Sequence, residues 1–66
     1  MSLGGRAKAL EAVCCLTNAS YDLADAGRYL DLAGDPELAR RARRIKAEAD
    51  GLAAAVAMRL EISAKE

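Results

Sequence analysis

Apolar residues recur every three and four positions along two stretches of this chain, on either side of a four-residue break. In the first stretch Leu16, Leu23 and Leu30 stand a heptad apart, with Ala9 one heptad earlier. Val13, Ser20 and Gly27 fill the alternate positions of that seam. In the second stretch Leu38, Ala42, Ile45, Ala49, Leu52 and Val56 alternate steps of four and three, with Leu60 beside them. This period belongs to a helix that buries one stripe. It predicts helices over about residues 6–32 and 36–63. No strand-like alternation, internal repeat or low-complexity segment competes with it.

The break is Ala33-Gly34-Asp35-Pro36. Gly34 suits the left-handed position just past a helix end, Asp35 can cap the next helix, and Pro36 fits its first turn. The predicted fold is all-α: an antiparallel two-helix hairpin over 6–66 with its turn at 33–36, after a non-helical lead at 1–5. Folding there brings Leu30 near Leu38, Leu23 near Ile45, Leu16 near Leu52 and Val13 near Val56. That matching of large residues argues that the two helices pair with each other.

A second stripe runs along helix two on the side turned away from the seam. Ala47, Gly51, Ala54, Ala55, Met58 and Ile62 continue the same alternation of steps. Gly51 in mid-helix costs roughly 1 kcal/mol against Ala, which an ordinary solvent face has no reason to bear. The stripe is either alanine filler or a second interface, and Met58 and Ile62 favour the interface. Leu10, Cys14, Cys15 and Leu3 belong to the same end, far from the turn. The open end of the hairpin is therefore the expected partner-binding end, with Leu10 and Cys14 among the partner-binding residues.

Composition strengthens this expectation. The chain has 66 residues, no Trp or Phe, and only Tyr21 and Tyr29 as aromatics. That is below the roughly 70–80 residues at which one core becomes comfortable without staples or association. Oligomerisation into a helical bundle, or a protein partner, would complete the hairpin.

Charge changes the picture locally. Ten basic and ten acidic residues cancel, so net charge gives no pull towards nucleic acid. Arg40, Arg41, Arg43, Arg44 and Lys46 nevertheless cluster near the start of helix two, where cations oppose the helix macrodipole. Glu37 to Arg40 and Arg41, Arg44 to Glu48, and Lys46 to Asp50 have the spacing to pair. Asp22, Asp25 and Asp31 are available across the hairpin. The cluster reads as a self-neutralised solvent face or as a site for RNA or an acidic protein surface.

Catalytic and metal chemistry find little support. The chain has no His and no C-x-x-C spacing, so no metal or cofactor is expected. Cys14 and Cys15 are adjacent and point about 100° apart on a helix, poorly placed to bond to each other. They read as small buried thiols, or else as partners in an intermolecular disulfide. Without a base beside them no nucleophile is assembled, and the chain is expected not to be an enzyme or to take a small-molecule substrate. Tyr29 and Asp25, at i+4, read as a surface hydrogen bond. The uncharged runs at 12–21 and 51–58 fall short of the ~20 residues that span a bilayer, so the expected location is the cytoplasm.

Two families resemble this plan. Gly34-Asp35-Pro36-Glu37, then Ala49-Asp50-Gly51-Leu52 leading into a small-residue apolar end, resemble the E-type co-chaperones of type III secretion needle subunits. The match covers about half the chain. It would imply a cytosolic chaperone part that holds an aggregation-prone needle subunit together with a second, larger subunit. In size, hairpin topology and small/large seam layers the chain is also similar to the Rop-type RNA-binding hairpins. That resemblance would imply a homodimeric four-helix bundle acting as an RNA-binding regulator. The leading expectation is a non-catalytic interaction module of the chaperone or adaptor type.

Overall fold

The computed structural model describes the backbone of residues 1–65 and the side chains of residues 1–62. Two helices of 30 residues each, α1 (Leu3–Leu32) and α2 (Pro36–Lys65), pack antiparallel as a hairpin. Its Cα atoms extend over 50 × 14 × 10 Å, which matches the roughly 45 Å length of a 30-residue helix.

The turn closes as its residues require. The N–H of Gly34 donates to the Asp31 carbonyl at 3.0 Å, and the N–H of Asp35 donates to the Leu30 carbonyl at 2.9 Å. This pair of bonds satisfies the carbonyls left over at the end of α1. It needs a left-handed residue at Gly34, whose φ is 85°. Asp35 Oδ1 then accepts from the N–H of Leu38 at 3.0 Å and caps α2, which begins at Pro36.

Helix α1 starts three residues earlier than the periodicity predicts. Ser2 is extended, and its hydroxyl accepts from the N–H of Gly5 at 3.0 Å. This cap holds Leu3, Gly4 and Gly5 in the helix despite two glycines. The expected non-helical lead at 1–5 thus shrinks to Met1 and Ser2.

On α1 the inward positions are Ala9, Val13, Leu16, Ser20, Leu23, Gly27 and Leu30, as the heptads predict. On α2 only Ala42, Ala49 and Val56 of the six predicted seam positions turn inward, joined by Leu60. Ala39, Ala42, Lys46, Ala49, Ala53, Val56 and Leu60 turn inward, while Leu38, Ile45 and Leu52 remain 40%, 49% and 55% exposed. The shift goes with close packing of the helices near the turn. A Cβ on Gly27 would lie 3.6 Å from the Ala39 carbonyl oxygen, in ordinary contact. There α2 turns Ala39 and Ala42 inward and its large side chains to one side. Leu60 comes to the centre of the seam at the open end, 8% exposed.

Few large side chains are consequently buried. Among the described residues the buried apolar ones are Ala39, Ala42 and Leu60. Three polar bridges add to them. Buried Ser20 donates to Asp50 Oδ1 at 2.5 Å, Arg6 Nη1 donates to the Leu60 carbonyl at 3.0 Å, and Arg43 pairs with Asp31. Together they fix a register in which Leu30 is level with Leu38, Leu23 with Ile45, and Leu16 with Leu52.

Candidate functional site

Two apolar surfaces remain open on this hairpin. The first is the predicted stripe on α2. Ala47, Gly51, Ala54, Ala55, Met58 and Ile62 are all exposed, Met58 by 63% and Ile62 by 57%. Nothing lies within 4 Å of a Cβ built on Gly51, so no neighbouring element of this chain uses that glycine. Leu10 and Cys14 of α1 are exposed too and share the open end.

The second surface is one that the heptad spacing predicts to lie in the seam. Leu38, Ile45 and Leu52 stand one residue before the inward Ala39, Lys46 and Ala53, about 100° to one side. Ala12, Ala19 and Ala26 stand in the same way before Val13, Ser20 and Gly27 of α1. Both helices thus carry apolar residues immediately outside the seam. The heptad spacing contained this signal, because two apolar faces that share Ala42, Ala49 and Val56 produce it as readily as one.

The basic cluster is only partly neutralised. Arg43 pairs with Asp31 across the hairpin, and Lys46 Nζ lies 2.9 Å from Asp50 Oδ2. The predicted pairs of Glu37 with Arg40 or Arg41, and of Arg44 with Glu48, do not form. Among the described residues Arg40, Arg41 and Arg44 are exposed and make no ion pair. The Asp50 carboxyl sits below its ordinary value of 3.8, chiefly because Ser20 hydrogen-bonds to it and secondly because Lys46 does. The Lys46 spacing is legible in the sequence, whereas a serine at a seam position does not show which residue of the other helix it meets.

Two further pairings differ from expectation. Asp25 pairs with Arg28 at 2.8 Å rather than with Tyr29. The guanidinium of Arg28 lies 5.6 Å from the centre of the Tyr29 ring, within reach of a cation–π contact. Cys14 and Cys15 are both free and both exposed, not buried. The first faces the flank of α1 that holds Leu10, and the second the flank that holds Ala12 and Ala19, because neither falls on the seam.

Comparison with family models, curated proteins and solved structures finds no match. Among the described residues no group of His, Cys, Asp or Glu is arranged to hold a metal ion. No described helix is long and apolar enough to cross a membrane.

Proposed function

We propose that this chain is a non-catalytic protein–protein interaction module, a helical hairpin that is completed by association. The observation that carries this reading is the imbalance of apolar surface. Leu60 is the one large side chain in the buried core of the described residues, while Leu3, Leu10, Leu38, Ile45, Leu52, Met58 and Ile62 stay 40% exposed or more. Scattered exposed leucines are ordinary on a protein surface, but aligned stripes of them mark interaction sites. In this reading the α2 stripe from Ala47 to Ile62 is the surface offered to a different protein. That agrees with a chaperone or adaptor role of the secretion co-chaperone type, carried out in a reducing compartment where Cys14 and Cys15 remain thiols.

Thermal unfolding followed by circular dichroism tests the reading. A hairpin completed by association melts at a temperature that rises with chain concentration or on adding its partner. A cooperative transition at one high temperature, independent of concentration and without bound hydrophobic dye, would contradict it.

Arg40, Arg41 and Arg44, exposed and without ion pairs among the described residues, favour a second reading as an RNA-binding regulator. RNA held through phosphates must dissociate steeply as salt rises. The triple variant Arg40→Gln, Arg41→Gln and Arg44→Gln would abolish such binding. Equal RNA retention by this variant and the unaltered chain would remove the second reading.

A further inference from the structure

We propose that the hairpin is covered by a second copy of itself, seated on the face that holds Leu38, Ile45 and Leu52, with the two turns at opposite ends. The proposal rests on the reading that association completes the hairpin, and it names the surface and the partner.

The two sides of the hairpin differ in chemistry. Two antiparallel helices are related by a two-fold axis normal to their plane, and that axis maps each side of the pair onto itself. Residues one step before a seam position therefore share a side whichever helix they are on. One step after the seam come Leu10, Thr17, Ala24 and Asp31 of α1 with Arg43 and Asp50 of α2, and the half of this side nearer the turn is closed by the Arg43–Asp31 pair and by Asp50 with Ser20 and Lys46. One step before it come Ala12, Ala19 and Ala26 with Leu38, Ile45 and Leu52, and Arg59 only at the open end. No described hydrogen bond or ion pair crosses that side. Charged side chains border it at Asp22, Arg41 and Glu48, as a polar rim borders an interface.

The open side is corrugated. The register sets Ala12, Leu16, Ala19, Leu23, Ala26 and Leu30 of α1 level with Val56, Leu52, Ala49, Ile45, Ala42 and Leu38 of α2. Small and large layers alternate along the face, with layers about 5 Å apart. A partner must offer the same spacing with ridges and hollows exchanged. A second copy turned end for end does so, about an axis between the Ala19–Ala49 and Leu23–Ile45 layers. Every layer with two large residues then meets a smaller one. A copy laid with its turn at the same end would set leucine on leucine and leave the alanine layers hollow, against the close packing of protein interiors.

Area points the same way. The chain exposes 4905 Å², whereas a compact monomer of its 7.0 kDa exposes about 4,000 Å². The excess is close to the roughly 800 Å² that each partner buries in a standard interface.

Sedimentation equilibrium on three chains tests the surface. The unaltered chain should be a dimer at micromolar concentration. Ile45→Glu, in the middle of the layered face, should weaken self-association at least a hundredfold. Met58→Arg, on the outer α2 stripe and two steps from the seam positions Val56 and Leu60, should leave it unchanged. Loss of association in Met58→Arg but not in Ile45→Glu would overturn the proposed surface and leave the interaction reading standing. A monomer that folds only with a different protein would overturn the second copy alone. A stable, cooperatively folded monomer would remove both.

Orientation is tested without disturbing the face. A spin label on Leu32→Cys, in a Cys14→Ser and Cys15→Ser background, sits at an exposed site beside the turn. Labels in two end-for-end copies should lie about 30–40 Å apart, from the rise per helical residue. A separation under about 20 Å would place the turns at the same end and overturn the arrangement. The same labels report the arrangement even if Ile45→Glu fails to fold.

Discussion

Two glycines in this hairpin face opposite demands. Gly34 holds a φ of 85° that a side chain resists. Gly34→Val should cost about 1 kcal/mol or more, lowering the melting temperature by about 4–8 °C for each kcal/mol at this size. Gly27 is helical, and a Cβ there meets Ala39 and Arg43 at 3.6 Å, an ordinary contact distance. Gly27→Ala should therefore stabilise the chain by roughly 0.5–1 kcal/mol through helix propensity. A calorimetric scan of both variants checks the two signs together. Asp50 supplies a third test. Its carboxyl is depressed below 3.8 by Ser20 and Lys46, so the charged form favours the folded chain. That contribution is present above the unfolded value and is lost as pH falls through the lower folded one. Asp50→Asn should flatten the acid limb of stability below about pH 4, measured by denaturant titration across pH. An unchanged acid limb would show that the Ser20 contact does not favour the charged form.

The turn was readable in full at the element scale, because Gly34, Asp35 and Pro36 each have one physical use there. Removing the cap with Asp35→Ala should cost about 1 kcal/mol, and helix content near the start of α2, followed by amide exchange, should fall with it. Uniform protection across α2 in that variant would show the cap to be dispensable. The start of α1 was less legible. Two glycines in its first turn argue against a helix, and the Ser2 cap that outweighs them is one hydroxyl among many. The face of α2 was legible only in part. Leu38, Ile45 and Leu52 form a clear apolar period in the sequence, and such a period reports burial without saying against what. Opposite Gly27 the seam belongs instead to Ala39 and Ala42. Periodicity alone cannot weigh backbone approach against side-chain volume, so the large residues were assigned inward when they lie at the flank.

This flank is where the whole molecule leaves large apolar side chains exposed. A thin hairpin has one seam, and the alanines that bring its helices close bury little area per residue. Full burial of a leucine or isoleucine contributes about 1.5–3 kcal/mol, and Leu38, Ile45 and Leu52 realise only part of that in the single chain. Covering them adds stability at the scale on which small domains fold or fail to fold. The α2 stripe was legible as a run of exposed small residues with Met58 and Ile62, while the layered face emerged only once register and inward positions were known.

Association is the central claim, and the mass of the folded species tests it most directly. Sedimentation equilibrium over a hundredfold range of micromolar concentrations should give a mass approaching twice the 7.0 kDa of the chain, with folded signal and mass rising together. A mass fixed at that of one chain throughout, with the helices fully folded, would contradict the account.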